Sequence, residues 1–98
     1  MTPIEKFIKD NYSPTIDEDK EGMKCVLNHK NKLTDSGVVY FHRIRKKKDG
    51  AEFLIVDARI EDIYEFLMTY YNLIEEDKET VKGIVVDMAI DKIKKHYD

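Results

Sequence analysis

Two apolar, strand-like runs on either side of an Asp-Gly pair constrain the fold of this chain more than any other feature. The runs, residues 38–46 and 52–57, are rich in β-branched and aromatic residues and flank Asp49-Gly50. Asp-Gly readily adopts the positive φ values of a type I′ turn, which joins neighbouring antiparallel strands. The sequence therefore predicts a β-hairpin between residues 38 and 57.

A two-residue loop at Asp49-Gly50 would also fix the register of this hairpin. The expected pairs include an opposite-charge pair and a His–Asp pair, as is favourable between cross-strand neighbours. They are Lys48 with Ala51, Lys47 with Glu52, Arg45 with Leu54, Arg43 with Val56 and His42 with Asp57. The buried face stays open, because two sets of residues compete for it: Tyr40, Ile44, Phe53 and Ile55 against Val39, Phe41, Leu54 and Val56.

Three other segments have the spacing of amphipathic helices. Thr2-Pro3-Ile4-Glu5 indicates a helix start, because threonine caps the first turn and proline is tolerated at its first position. The apolar periodicity predicts helices over about residues 3–11, 60–74 and 80–97, the last capped by Asp77 or Thr80. Residues 23–29 alternate as a short strand, and residues 17–22 have nothing apolar to bury and indicate a surface loop.

The fold class that follows is α+β. We expect one domain over residues 1–98, in the order αβββαα, with a three-stranded antiparallel meander and flanking helices. A chain of this length can bury one core without disulfides or metals. No apolar run approaches the ~18 residues of a membrane span, the amino terminus lacks the pattern of a secretion signal, and the lone Cys25 agrees with a reducing compartment. A cytoplasmic location is expected.

Metal binding and catalysis are disfavoured. Cys25, His29 and His42 form the one soft-ligand set to weigh, but Cys25 and His29 would stand about 13 Å apart on a strand, too far to share a zinc ion. A Cys–His pair or a His42–Asp57 pair could activate a nucleophile, yet the chain has no glycine-rich phosphate loop, no nucleophile elbow and no paired-carboxylate motif on a shared element. We therefore expect no metal, no cofactor, no catalytic residues and no enzyme activity.

Charge is divided along the chain and indicates two candidate surfaces. Residues 1–50 carry 11 Lys/Arg and 8 Asp/Glu, and residues 51–98 carry 6 and 12, so the halves are +3 and −6. The leading prediction is a protein-binding surface with Tyr70 as its apolar anchor. Its residues are Glu61, Asp62, Glu65, Tyr70, Glu75, Glu76, Asp77 and Glu79.

Two alternatives stay open. A basic hairpin could contact nucleic-acid phosphates, which would make the protein a DNA-binding accessory or regulatory module. Its residues are Arg43, Arg45, Lys46, Lys47 and Lys48, with Arg43, Arg45 and Lys47 expected on one face of the hairpin. Homodimerisation through the carboxy-terminal helices is the other alternative, because their apolar stripes are wide.

The order of elements resembles that of small phage-encoded anti-CRISPR proteins. The resemblance extends over most of the chain: residues 4–9, 38–46, the Asp49-Gly50 turn, 53–57 and 60–71. It implies a non-catalytic inhibitor, encoded by a phage or mobile element, that binds a nuclease or another nucleic-acid-handling protein. It transfers no role to any single residue.

Overall fold

The computed structural model describes residues 1–18, 22–31, 36–47 and 50–97, with the side chains of residues 43–47, 50–52 and 97 outside the description. The four strands form one antiparallel sheet in chain order. The α+β class is confirmed, with four strands rather than the three predicted. Along the chain the elements are α1 (Pro3–Asn11), β1 (Tyr12–Glu18), β2 (Met23–His29), β3 (Gly37–Lys47), β4 (Gly50–Arg59), α2 (Glu61–Met68) and α3 (Asp77–Tyr97).

Helix α1 forms as its capping residues predict. The backbone N–H of Glu5 donates to Thr2 Oγ1 at 3.2 Å, and Pro3 occupies the first helical position. Both features satisfy or remove amide donors that have no partner inside the helix. Ile8, on the apolar side of α1, is fully buried.

Strand β1 is the additional strand. Tyr12, Pro14 and Ile16 alternate with polar residues and pair with β2, so residues 12–18 have the period of two that a strand requires. Pro14 is tolerated because β1 lies at the edge of the sheet, where an amide donor can be lost without breaking a ladder bond. Asp17, expected in a loop, belongs to β1 and pairs with Lys24 at 3.5 Å. Residues 19–21 of that loop lie outside the described residues.

One face of the sheet is covered by helices, and we call it the covered face. Helix α3 crosses it in contact with all four strands, and its buried residues recur every four positions. On the sheet, Tyr12, Cys25, Leu27 and Val39 point to this face and are almost completely buried. The opposite face, which we call the open face, carries residues such as Val26, Tyr40 and Leu54. The buried residues of α3 are Val81, Val85, Ala89 and Ile93.

Helix α2 packs on the covered face where β3 begins. The approach is close enough that a Cβ atom at Gly37 would clash with Ile63 Cδ1 and would lie 3.2 Å from the carbonyl oxygen of Arg59. Glycine is therefore the residue that lets α2 and β3 pack at this distance.

The β3–β4 hairpin forms, but its predicted register is wrong. Lys47 pairs with Gly50, which belongs to β4 rather than to the turn, and Asp49 lies outside the described residues. His42 therefore stands opposite Leu54, and Asp57 opposite Tyr40. Irregularities between Tyr40 and Phe41 and between Arg43 and Arg45 shift the pairing further. The competing apolar sets are consequently mixed. Val39 and Phe41 are buried, whereas Leu54 and Val56 of the same set are exposed.

The boundaries of the last two helices also differ from the prediction. Helix α2 ends at Met68 rather than near residue 74, because the chain turns back and Tyr64 Oη donates to the carbonyl oxygen of Ile74 at 2.9 Å. Helix α3 begins at Asp77, three residues before Thr80. The Asp77 carboxylate accepts the backbone N–H of Ile74 at 2.8 Å, which satisfies a donor in the connection just before the helix.

Candidate functional site

The structure does not bring the candidate metal ligands and nucleophiles together. Cys25 and His29 lie on the covered face of β2, whereas His42 lies exposed on the open face of β3. Asp57 accepts the backbone N–H of Ala58 at 2.9 Å, lies 3.4 Å from Arg59 Nε and stands opposite Tyr40 in the sheet, so it is not the cross-strand partner of His42. Both residues nevertheless line one concavity of ≈ 490 Å³ on the open face. Across residues 1–18, 22–31, 36–47 and 50–97, no three His, Cys, Asp or Glu side chains are placed to hold a metal ion.

Cys25 is a core residue. Its side chain is fully buried, and burial raises the pKa of the thiol to about 11, against a smaller lowering by the charge of Lys92. The thiolate is the nucleophilic and metal-binding form of cysteine, and this thiol stays protonated at neutral pH.

His29 is also held as a packing residue. Its Nδ1 accepts the backbone N–H of Asn31 at 3.0 Å, and its ring packs edge-on against Phe66 and Tyr12, with centroids 4.6 and 5.1 Å away. Its Nε2 is buried and has no hydrogen-bond partner in the described part of the chain. An imidazole in these surroundings is enclosed by aromatic rings and is not accessible to a substrate.

The predicted acidic residues gather at one end of the molecule. We call the group of six exposed carboxylates there the acidic corner. Three of them lie on α2 and three lie around the start of α3, and within the described residues none takes part in a salt bridge. The acidic corner consists of Glu61, Asp62, Glu65, Glu75, Glu76 and Glu79.

Two contacts hold the halves of the acidic corner side by side. The hydroxyl of Tyr64 on α2 donates to the carbonyl oxygen of Ile74, and Lys78 Nζ lies 5.8 Å from the centroid of the Tyr64 ring. Glu61 and Glu65 flank Tyr64 on α2, and Glu75 directly follows Ile74. The two acidic segments therefore form one surface rather than two separate patches.

Asp77 has a different role from its predicted neighbours. It is half-buried, and its carboxylate accepts the backbone N–H of Ile74 in the connection that leads into α3. Its charge stabilises the start of the helix through this bond and through the helix dipole. The acidic corner therefore excludes Asp77, although the sequence placed it in the binding surface.

Exposed apolar side chains lie in the same stretch of chain as the acidic corner. Tyr70 is 60% exposed, yet its ring packs against Phe7 and Phe66 with centroids 5.2 and 5.3 Å away, which restricts its motion. Met68 and Ile74 are 47% and 59% exposed. Ile74 falls within the helix predicted over residues 60–74 and is exposed because α2 ends at Met68. Aromatic and methionine side chains are enriched in protein interfaces.

The stretch from residue 60 to residue 79 is strongly acidic as a whole. It contains 7 Asp/Glu and 1 Lys, a net charge of −6, whereas the other residues contain 16 Lys/Arg and 13 Asp/Glu, a net charge of +3. The chain total of −3 is therefore the sum of an acidic end and a basic remainder.

The basic hairpin lies mostly outside what the structure describes. The backbone of β3 includes Arg43, Arg45, Lys46 and Lys47, but their side chains, and all of Lys48, lie outside the described residues. The irregular pairing between Arg43 and Arg45 interrupts the alternation that placed Arg43, Arg45 and Lys47 on one face.

Comparisons with protein-family models, curated proteins and solved structures found no match to this chain. Among the described helices, none has both the length and the apolar content to cross a membrane.

Proposed function

We propose that this protein is a non-catalytic inhibitor whose acidic corner binds a basic surface of a nucleic-acid-handling protein. The observation that supports it is the surface itself, in which six exposed carboxylates, none of them in a salt bridge with another described residue, adjoin the exposed side chains of Met68, Tyr70 and Ile74. Carboxylates left unpaired within the fold are available to a cationic partner, and exposed apolar side chains gain stability when a partner buries them.

The two kinds of group have different tasks in such an interface. A field of −6 over residues 60–79 steers a positively charged partner and rejects acidic ones. Tyr70, held by Phe7 and Phe66, loses little further freedom on binding and serves as the anchor. Proteins that bind nucleic-acid phosphates have positively charged clefts, and the negatively charged acidic corner is complementary to such clefts.

The resemblance to anti-CRISPR proteins, which extends over most of the chain but not over the additional strand β1, supports a guide-loaded nuclease as the partner and a phage or mobile element as the source. Such a target places the protein in the cytoplasm. The proposal requires no catalytic step, in keeping with the buried thiol of Cys25.

The test is inhibition of DNA cleavage by a panel of purified guide-loaded nucleases across a range of salt concentrations. We expect the unaltered protein to inhibit at least one of them, more strongly at low salt. The variant Glu75→Lys/Glu76→Lys should lose this inhibition. The matched control is Asp10→Lys/Asp87→Lys, which changes the net charge equally at exposed positions of α1 and α3 outside the acidic corner. Equal inhibition by both variants would exclude the acidic corner as the binding surface.

Two further measurements distinguish the alternatives, nucleic-acid binding and homodimerisation, from this proposal. Nucleic-acid binding through Arg43, Arg45 and Lys46–Lys48 would appear as a mobility shift of DNA or RNA alone at low salt, lost steeply as salt rises. Homodimerisation would appear in sedimentation as a dimer that inhibits none of the nucleases.

A further inference from the structure

A concave surface lies where the end of α1, the start of β1 and the carboxy-terminal half of α3 meet. Its volume is ≈ 410 Å³, and we call it the lysine groove. Its floor is formed by Tyr12, Pro14 and Met88, and its rim carries three lysines, Lys9, Lys92 and Lys95, and one carboxylate, Asp91.

Helical spacing brings the α3 residues of the groove together. Met88, Asp91, Lys92 and Lys95 stand at positions i, i+3, i+4 and i+7, so they share one face of the helix. Lys9 reaches the same groove from α1, some eighty positions earlier in the chain. The negative end of the helix dipole favours lysines near the end of α3. It does not explain their convergence with Lys9 around an apolar floor.

Two of the three lysines of the groove form no salt bridge with a described residue. Lys92 is half-buried and Lys95 is exposed, and neither forms a salt bridge with any described residue. Lys9 is already paired with Glu5, whose carboxylate lies 3.0 Å from Lys9 Nζ. Three lysines against Asp91 give the lining a net charge of +2. An anion bound here would therefore meet two lysines, Lys92 and Lys95, that form no salt bridge with a described carboxylate.

We infer that the lysine groove binds a nucleotide, either free or within a single strand of nucleic acid. Ammonium groups form strong charge-assisted hydrogen bonds to phosphate oxygens, and the half-buried side chains of Pro14 and Met88 offer an apolar surface to the base or sugar. The volume falls within the range of about 300–1,000 Å³ that is usual for ligand sites. The shared chemistry of both sources is a phosphate ester beside an apolar ring.

The lysine groove is separate from the acidic corner. Glu79 and Lys92 lie thirteen positions apart on α3, which corresponds to about 20 Å at a helical rise of ~1.5 Å per residue. The inference therefore does not depend on the proposed inhibition of a nuclease, and either can fail alone.

The test is fluorescence anisotropy at low salt with two labelled probes, ADP and a single-stranded thymidine oligonucleotide, added to the full-length protein. We expect at least one probe to bind, and Lys92→Glu/Lys95→Glu to weaken it about tenfold or more, a cost of ~1.4 kcal/mol. Lys92→Arg/Lys95→Arg should retain binding because it keeps both charges. Binding of ADP alone identifies a free nucleotide, and binding of the oligonucleotide alone identifies a strand.

Two controls and one fallback variant complete the test. Lys82→Glu alters an exposed lysine of α3 outside the groove and should leave binding unchanged. Glu75→Lys/Glu76→Lys should not weaken it either, which separates this site from the acidic corner. If the double variant fails to fold, as judged by circular dichroism, the exposed single variant Lys95→Glu takes its place. Failure of both probes to bind, or binding that survives the loss of Lys92 and Lys95, would overturn the inference.

Discussion

The covered face of the sheet and the acidic corner differ in whether contacts within the molecule explain the side chains found there. On the covered face, Cys25, Leu27 and Val39 are completely buried beneath α3, so packing within the molecule explains each of them. At the acidic corner, Tyr70 and Ile74 are 60% and 59% exposed beside carboxylates that form no salt bridge in the described part of the chain.

This difference separates residues that stabilise the fold from residues available for binding. Substitutions on the covered face should lower the free energy of unfolding and leave the affinity of the folded protein unchanged. Substitutions at the acidic corner should lower the affinity for the partner and leave the free energy of unfolding nearly unchanged. The following experiments test this separation, in order of decreasing expected effect.

Leu27→Ala should cost about 3 kcal/mol of unfolding free energy, because it removes buried methyl groups and leaves a cavity. The matched control is Val26→Ala, the preceding residue of β2, which is half-buried on the open face and should cost less than about 1 kcal/mol. Urea denaturation measures both. Equal losses for the two variants would mean that the faces of the sheet are not distinguished as described.

Gly37→Ala should cost about 2 kcal/mol, because the new Cβ would overlap Ile63 Cδ1 in a packed region. Removing that methyl group with Ile63→Val should relieve the overlap. The loss caused by Gly37→Ala should therefore be smaller in the Ile63→Val background than in the unaltered protein. A double-mutant cycle followed by thermal denaturation measures the coupling, and strict additivity would contradict the close packing of α2 on β3.

Cys25 should make stability depend on pH only in the alkaline range. Its pKa is raised from 9.0 to about 11 by burial, so the unfolded chain releases the thiol proton first as pH rises. Stability from this group is complete below pH 9 and is lost between pH 9 and 11, with about 1 kcal/mol lost by pH 10. The stability difference between the unaltered protein and Cys25→Ala should narrow over that interval. A constant difference would indicate a thiol that is not desolvated.

Gly83→Ala should have the smallest effect, a gain of roughly 0.5–1 kcal/mol. Gly83 is exposed inside α3, and a Cβ placed there meets no atom within 4 Å. Alanine lowers the entropy of the unfolded chain without a steric cost. Thermal denaturation should show a higher midpoint, and a lower one would show that the exterior of α3 is more constrained than its surroundings suggest.

Local patterns in the sequence predicted the elements that depend on local interactions. The Thr2 cap defines α1, and the alternation of Cys25 and Leu27 defines the covered face of β2. Strand β1 was missed because Ser13-Pro14 is also typical of a helix end, and only pairing with β2 stabilises the extended form. The predicted hairpin register fails already beside the turn, where Lys47 pairs with Gly50, and the irregular pairing between Arg43 and Arg45 adds a local shift.

The same distinction applies to the candidate sites. The exposed acids and Tyr70 could be predicted, since charged residues at helix starts are seldom buried. The exposure of Met68 and Ile74 could not, because it depends on the turn that Tyr64 stabilises through the carbonyl oxygen of Ile74. The lysine groove could not be predicted either, because tertiary packing alone brings Lys9 to Lys92.

The most direct test of the central claim compares affinity and stability in one variant, Glu75→Lys/Glu76→Lys. Calorimetric titration of a nuclease inhibited by the unaltered protein, at low and high salt, should show affinity reduced about tenfold or more, with a weaker dependence on salt. The thermal midpoint should stay nearly unchanged, because both side chains are exposed. Unchanged affinity and salt dependence in a folded variant would contradict the assignment of binding to the acidic corner.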